Sequence, residues 1–345
     1  MTGGRTGIAL MNLGSPASPG EVQRFLFRLF MDIEMFRFPG ERLARPLFAA
    51  LIAALRAERV RRRYRVLGGT SPLVPLTERQ ARGLEAALHQ RGCAVPVEVC
   101  MRYSHPFAPE AVDRLAARGV RGIVGLPLYP QYSDSTSGSS LRALHEAAEQ
   151  HRPALPCHEI RSWFDDPAYH AALARRVLAC RQKLQGVEKV GLLFVAHSVP
   201  VRFVLRGDPY VEHVERTVAG VLGVLNRETR GALPWLLAYQ SRVGPVRWIG
   251  PTVPEALEAV VADGVRGVIV VPVSFVSDHL ETLYEIDLHY RRLAFELGCE
   301  RFERTDSLNA SDDFMTLLAD LVIRAHGDEL SGIDVAGHRQ EEGLS

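Results

Sequence analysis

The sequence predicts an α/β fold made of two similar doubly wound, Rossmann-like domains with parallel sheets and a cleft between them. Continuous apolar strands alternate with helix-length segments, which is typical of parallel sheets covered by helices on both faces. The pattern occurs twice, because residues 120–139 and 265–284 both begin Val-Arg-Gly, continue as an apolar strand containing proline and end in a polar stretch. A chain of 345 residues is also long enough for two domains.

Short apolar runs closed by turn residues mark the predicted strands. These runs are 7–13, 95–103, 122–130, 190–198, 234–241 and 267–276. Helix-length segments lie between them, for example at 210–225 and 254–263. Strands and helices therefore alternate along most of the chain.

The predicted division of the chain follows the two series of strands. An N-terminal domain covers 1–175, a C-terminal domain 176–308, a helix 309–327 and a polar tail 328–345. Within the first domain, residues from about 25 to 56 are dense in Phe, Met and Leu, with Arg between them. Such a segment is most often a buried helix pair, but it is also typical of a surface that lies on a membrane or of an apolar lip around a pocket.

Composition excludes several classes of protein. The net charge of +1 gives no indication of nucleic-acid binding. The five cysteines are scattered and form no CxxC pair, which argues against a disulfide framework and a zinc site and favours a reducing compartment. We find no secretory signal and no apolar run long enough to span a membrane, so a cytoplasmic location is expected.

The strongest chemical candidates follow the ends of strands, where ligands bind in open α/β sheets. His197 ends the strand 190–198, and an imidazole there can bind a metal or accept a proton near neutral pH, although a lone histidine more often just bonds a neighbouring loop. After the strand 267–276, the chain places several acids and a histidine together without a basic residue. The members of this acidic cluster are Asp278, His279, Glu281, Glu285 and Asp287.

A helix beginning near Asp278 would place Asp278, Glu281 and Glu285 on one face at spacing i, i+3, i+7. Acidic residues in a first turn complement the helix dipole, but that explains only the first two. Three carboxylates on one face repel one another and gain from a cation or from proton uptake. Carboxylate and imidazole together suit a divalent metal in passage.

Two weaker candidates lie in the first half of the chain. Arg102 can bind a carboxylate through two parallel hydrogen bonds. The loop 67–73, which contains Ser71 and follows Arg65, is a weak candidate for an anion-binding loop, although such loops are most often turns.

The ordered motifs of the chain resemble those of the ferrochelatase family, which inserts ferrous iron into a porphyrin as the last step of haem synthesis. The motifs, across residues 12–287, are NLGSP, GGTSPL, RYSHP, YPQYSDSTSGSS, AHSVP, RGDPY, QSRVGPVRWIGP and SDHLETLYEID. The resemblance covers nearly the whole chain and implies a porphyrin cleft between the two domains.

The resemblance also implies roles for individual residues. His197 and Glu281 match the family's catalytic and metal-binding pair. In the family, these two residues face each other across the macrocycle. His279 and Glu285 match further residues of the acidic helix that guides metal or carries protons, and Asp278 is expected to belong to the same acidic path. The expected porphyrin-binding residues are Leu13, Arg65, Ser71, Arg102, Tyr103, Tyr129, Trp248 and Phe275.

The expected substrates are Fe²⁺ and protoporphyrin IX. Leu13 stands where family members acting on coproporphyrin resemble one another in having tyrosine, and the apolar segment 25–56 resembles a lip that touches the inner face of the membrane. A coproporphyrin ferrochelatase, a cobalt chelatase of the same fold and a non-catalytic porphyrin or haem carrier are the alternatives. The sequence carries no signal for oligomeric state.

No tightly bound cofactor is expected. Some family members carry a [2Fe–2S] cluster with a cysteine in the YPQYSCS loop, where this chain has Asp134. The chain also has no C-terminal cysteine triplet, since Cys299 is its last cysteine. The resemblance therefore implies that a cluster with this ligand set is absent.

Overall fold

In the computed structural model, the described residues are 6–34, 41–229, 233–242, 244 and 246–330. They form two four-stranded sheets, each wholly parallel and flanked by helices, which confirms the predicted fold class. Parts of three predictions lie outside the described residues, namely 1–5 of the first domain, 35–40 of the apolar segment and 331–345 of the tail.

The first sheet has the strand order β2-β1-β3-β4. Its strands are β1 (Thr6–Asn12), β2 (Val97–Met101), β3 (Gly122–Pro127) and β4 (Cys157–Glu159). All residues of β1 are buried, since the strand is central and covered on both faces.

The second sheet repeats this arrangement as β6-β5-β7-β8. Its strands are β5 (Val190–His197), β6 (Trp235–Gln240), β7 (Gly267–Pro272) and β8 (Arg301–Arg304). The first strand of each series lies between the second and the third, so the crossovers run in opposite directions on its two sides. This creates a topological switch point between β1 and β3 and another between β5 and β7, where ligands bind in such sheets.

Eleven α-helices connect and cover the strands in the described part of the chain. They are α1 (Val22–Met31), α2 (Glu41–Val66), α3 (Leu73–Gln90), α4 (Ala108–Ala117), α5 (Ser139–Gln150), α6 (Pro167–Lys183), α7 (Val201–Val204), α8 (Tyr210–Thr229), α9 (Val253–Ala262), α10 (Arg291–Glu296) and α11 (Asp312–Leu330). A short 3₁₀-helix, Pro19–Glu21, precedes α1.

Two π-helices follow equivalent strands in the two halves. The helix π1 (Asp134–Gly138) comes after β3, and π2 (Glu281–Tyr290) comes after β7. The internal similarity found in the sequence therefore extends to this uncommon local structure, which is frequent at functional sites.

The strands β4 and β8 were not predicted. Their sequences, CHE and RFER, are short and largely polar, so neither has the apolar run by which the other strands were identified. They add to the outer edges of their sheets by pairing with β3 and β7. The domain limits stay a prediction, and the division at 175 falls inside α6.

One apolar core joins the two sheets. It contains Ile8 and Leu10 of β1, Leu192 and Phe194 of β5, and residues of α6 between them. Polar ties reinforce this contact, since Gln131 Nε2 donates to the carbonyl of Val273 at 2.9 Å. The loops that follow β3 and β7 are thus fastened directly to each other, which fixes the two switch points relative to one another.

We predict that Gly220 is required for the close approach of α8 to α6. A Cβ at Gly220 would lie 2.2 Å from Cε1 of His170, so Gly220→Ala should lower the free energy of unfolding by about 1–3 kcal/mol. Gly223 lies on the same helix with 3.9 Å to its nearest neighbour, Arg227 Nη1, and Gly223→Ala should be neutral or stabilising by up to about 1 kcal/mol. Urea unfolding compares the two variants, and equal midpoints would contradict the prediction.

Candidate active site

His197 lies at the carboxyl end of β5, beside the switch point of the second sheet. Its backbone N–H donates to Ser274 Oγ at 3.1 Å, and its Nδ1 lies 2.7 Å from the carbonyl of Ser198. A carbonyl only accepts, so Nδ1 carries a proton. In the neutral ring this leaves Nε2 with a free lone pair, able to take a proton or a metal ion.

Glu281 is the first residue of π2 and faces His197. One carboxylate oxygen, Oε2, accepts a hydrogen bond from Gln240 Nε2 at 2.9 Å. The other, Oε1, lies 3.7 Å from His197 Nε2. Burial alone would raise the pKa of Glu281, but the imidazoles of His197 and His279 and the Gln240 hydrogen bond hold it below its ordinary value.

The distance between His197 and Glu281 differs from the separation that a macrocycle between them would need. The resemblance placed the two side chains on opposite faces of a macrocycle, which needs roughly 7 Å, twice a van der Waals contact. At 3.7 Å the two groups form a pair with no room for a ring between them. In this structure the pair presents an imidazole nitrogen and a carboxylate oxygen together.

Glu285 lies one turn further along π2. Arg63 Nη1 donates to its Oε1 at 2.7 Å, and Ser241 Oγ donates to its Oε2 at 3.0 Å. Burial, together with the nearby Glu281 carboxylate, raises the pKa of Glu285. Two neighbouring carboxylates thus have pKa values shifted in opposite directions, a feature of sites that handle protons.

Asp278 does not share the face of Glu281 and Glu285, contrary to the spacing argument. Its carboxylate contacts Arg304 Nη1 at 3.1 Å and accepts from Ser307 Oγ at 2.8 Å and Asn309 Nδ2 at 2.9 Å. The reason is that the helix begins at Glu281 and is a π-helix, so α-helical spacing from Asp278 does not apply.

His279 and Phe275 lie next to the pair. The rings of Phe275 and His279 are 4.6 Å apart, and the rings of Phe275 and His197 are 6.4 Å apart. His279 Nδ1 lies 3.0 Å from the carbonyl of Ser277, and burial lowers the pKa of the ring. This aromatic row forms an apolar flank beside the two reactive groups.

Arg102 and Tyr103 are bound inside the N-terminal half. Asp32 Oδ2 accepts from Arg102 Nη2 at 2.7 Å, from Tyr103 Oη at 2.8 Å and from Ser139 Oγ at 2.6 Å. Asp32 follows α1 directly, so the network fastens the end of α1 to the loop after β2. Arg102 is therefore occupied by a protein carboxylate in this structure.

The remaining predicted porphyrin-binding residues lie in separate places. Leu13 and Tyr129 follow β1 and β3 at the first switch point. The backbone of Trp248 pairs with Pro200, three residues after His197, and its indole Nε1 is buried without a hydrogen-bond partner in the described part of the chain. Two are not directed to the pair: Arg65 is exposed and bonded to Glu58, and Ser71 Oγ accepts from the N–H of Leu73.

Sequence reasoning assigned no role to three residues that hold the site, namely Asp32, Arg63 and Gln240. Gln240 ends a predicted strand, and that position was a usable signal. Arg63 and Asp32 act through contacts with residues far away in the chain, and their local sequence gives no indication of this.

Two surface grooves, of about 710 and 530 Å³, lie elsewhere. The larger runs along the β2 edge between α3 and α4, and the smaller lies beside α10. Neither is lined by His197 or Glu281. Across the described ranges, no three or more His, Cys, Asp or Glu side chains form a metal-ligand set, so the pair offers two ligands.

Fold and site together define a class of protein: an α/β protein with two doubly wound sheets that presents an imidazole and carboxylates to a cation at a switch point. A multi-domain protein from Deinococcus radiodurans with structural similarity to chelatases has a comparable fold, with a TM-score of 0.50 and 12% identity over 95% of this chain and 57% of that chain.

The chain belongs to the ferrochelatase family, whose profile matches residues 5–326. It is 43% identical to the ferrochelatase of Gloeobacter violaceus, covering 93% of this chain and 98% of that protein. It is also 43% identical to the ferrochelatase of Synechococcus elongatus, covering 92% of this chain and 82% of that protein. The protein is therefore a lyase of haem biosynthesis that inserts iron into a porphyrin, with Fe²⁺ as substrate.

We predict that Asp32→Asn lowers the free energy of unfolding by about 2–4 kcal/mol, because Arg102 loses its buried charge partner. Burial alone would raise the pKa of Asp32, but the hydrogen bond from Ser139 and the charge of Arg102 lower it. The stabilisation is then fully present above the unfolded pKa of about 3.9 and is lost as pH falls through the lower folded value.

Urea unfolding of both proteins at several pH values checks this prediction. The difference between them should shrink as the pH falls below about 4. Asp113→Asn is the control, because the Asp113 side chain is 74% exposed. A difference that is constant with pH would show that the Asp32 charge is not the cause.

Proposed function

We propose that the enzyme inserts Fe²⁺ into protoporphyrin IX, with His197 and Glu281 as the catalytic and metal-handling pair. The observation that carries this proposal is the 3.7 Å approach of His197 Nε2 to Glu281 Oε1 at the second switch point. Nitrogen and oxygen ligands held together there suit a divalent ion of intermediate hardness, and two ligands leave further coordination positions open for transfer.

The chemistry requires proton removal as well as metal delivery. A free porphyrin carries two N–H protons, and insertion of Fe²⁺ releases both. The lowered pKa of Glu281 keeps its carboxylate ionised and able to receive a proton or hold iron, while the free Nε2 of His197 is a second acceptor. The raised pKa of Glu285 makes it the next acceptor along π2.

The choice of protoporphyrin IX rests on apolar residues that follow strand ends at the two switch points. Leu13, rather than a tyrosine, follows β1 at the first switch point, and Phe275 borders the pair. Protoporphyrin IX has two propionates and a more apolar edge than coproporphyrin. Apolar residues at these positions favour the less charged ring, because burying an unpaired carboxylate is costly.

Anaerobic metallation of protoporphyrin IX and coproporphyrin in parallel tests the proposed function. We expect a higher kcat/KM with protoporphyrin. His197→Ala should lower kcat by at least about a hundredfold, the usual contribution of a positioned acid or base, while porphyrin binding persists. Glu281→Gln should slow insertion more than it weakens binding.

Three results would overturn the proposal in different ways. Faster metallation of coproporphyrin would replace the substrate. Parent-level activity of His197→Ala would remove the assigned role. Porphyrin binding by the wild-type protein without insertion of Fe²⁺ or Zn²⁺ would identify a carrier.

We also propose that α2 docks on the surface of a membrane. The buried residues Ala49, Ala53 and Ala57 pack against α1, whereas Leu47, Leu51 and Leu55 are 76%, 56% and 74% exposed. Small side chains face the protein and large apolar ones face outward, the reverse of an ordinary surface helix.

The charge pattern of α2 favours an anionic lipid surface as the occupant. Exposed Arg59, Arg62 and Arg65 follow the leucine stripe along the helix. Apolar insertion combined with basic flanking residues is typical of helices that lie in the headgroup region. In the described part of the chain, no helix is both long and apolar enough to cross a bilayer.

We predict that Leu47→Ser combined with Leu51→Ser reduces co-sedimentation with anionic phospholipid vesicles severalfold, because the inserted apolar area is lost. Ala54→Ser, at an exposed small residue of the same helix, is the matched control. Metallation of a detergent-solubilised porphyrin should stay close to wild type in both variants. Equal vesicle binding by all three proteins would refute membrane docking through α2.

A further inference from the structure

Arg63 forms an ion pair between the two halves of the molecule. It lies near the end of α2, and its Nη1 donates to Glu285 Oε1 on π2 at 2.7 Å. The two side chains are 28% and 14% exposed, so the pair is partly buried. The ion pair therefore joins α2, in the N-terminal half of the molecule, to π2, in the C-terminal half.

Both oxygens of Glu285 are occupied in this arrangement. Ser241 Oγ donates to Oε2 at 3.0 Å, while Arg63 holds Oε1. The Arg63 guanidinium also lies 5.4 Å from the centre of the Tyr284 ring. A metal ion that is to use Oε1 of Glu285 must therefore displace a hydrogen-bonded guanidinium.

The position of Arg63 distinguishes it from its neighbours on α2. Arg62 and Arg65 point to the exposed side, where both pair with Glu58. On the inner side, Leu280, the residue before π2, packs against the apolar cluster of α1 and α2. Arg63 thus lies beside an apolar contact that brings α2 and π2 together.

We propose that Arg63 is a positioning residue that occupies Glu285 as an internal cation and competes with the incoming divalent metal. The role rests on the proposed function, since it concerns the metal path of the same site. Arg63 sets how strongly the acidic face of π2 attracts metal. A metal ion that takes the carboxylate also releases the tie between α2 and π2, so metal entry is coupled to the position of α2.

Electrostatics fixes the direction of the effect. Glu281 and Glu285 together carry two negative charges close to the imidazoles of His197 and His279, and Arg63 cancels one of these charges. Removing the guanidinium increases the negative potential at the pair and frees one carboxylate oxygen. A divalent ion should then bind more tightly, whereas a neutral porphyrin core should be little affected.

Arg63→Gln tests the proposal at about pH 8, where an ordinary glutamate is ionised. We expect the KM for Zn²⁺ and Fe²⁺ to fall roughly three- to tenfold, the range of a partly buried ion pair, while kcat and the KM for porphyrin change less than about twofold. Equilibrium dialysis with Co²⁺ in the absence of porphyrin should show the same fall in dissociation constant. Arg63→Lys, which keeps the charge, should restore wild-type values.

Arg62→Gln, which removes an exposed arginine one position earlier, is the matched control. It should leave the metal KM and the Co²⁺ dissociation constant unchanged when both are measured without a membrane. In a Glu285→Gln background, Arg63→Gln should no longer alter the metal KM, because the competed group is gone. An unchanged or higher metal KM in Arg63→Gln would overturn the proposal. A fall in kcat of Arg63→Gln without a change in the metal KM would also overturn it, because the contact between Arg63 and Glu285 would then be purely structural.

The two proposals fail separately. If the wild-type protein metallates no porphyrin, the proposed function fails, but the Co²⁺ comparison still tests the competition at Glu285. If metallation proceeds and both metal constants are unaffected by Arg63→Gln, only the role of Arg63 fails.

Discussion

Charge must be held in a partly buried space at the ends of β5 and β7, and the rest of the site is arranged around this constraint. Glu281 remains ionised there because His197, His279 and Gln240 offset the cost of burial. Without such partners a buried carboxylate takes up a proton and loses its ability to attract a cation. The chain meets the constraint with one hydrogen bond and two imidazoles rather than with a full ion pair, which leaves Glu281 Oε1 available.

The neighbouring carboxylate, Glu285, lies in a different electrostatic environment. Glu285 is paired with Arg63, but burial and the proximity of Glu281 still raise its pKa. A low-pKa and a high-pKa carboxylate on the same π-helix give a gradient of proton affinity away from His197. The π-helical winding makes this geometry, because it starts at Glu281 and excludes Asp278, which is bound to Arg304 instead.

The helices α1 and α2 are tied to the rest of the protein by two arginine–carboxylate pairs of unequal burial. At the end of α1, Asp32 is almost fully buried and binds Arg102 together with two hydroxyl groups. Near the end of α2, Arg63 binds Glu285 in a more accessible place. The first pair is a structural anchor, since it belongs to one half of the molecule. The second joins the two halves, so a ligand at the site can act on it.

The sequence by itself determined the fold class, the family and the placement of His197 at the end of one strand and of Glu281 after the end of another. Apolar strand runs and residues that follow strand ends are local signals, because a buried parallel strand needs a continuous apolar run and its carboxyl end is where a ligand can approach. The short edge strands β4 and β8 lack that signal. Only the tertiary structure decided that His197 Nε2 and Glu281 Oε1 lie 3.7 Å apart. It also decided that Asp278 binds Arg304 instead of facing the pair, and that Asp32 and Arg63 bind Arg102 and Glu285. Asp32 and Arg63 meet their partners across 70 and 222 positions of the chain, and no local pattern encodes which of many arginines reaches which carboxylate.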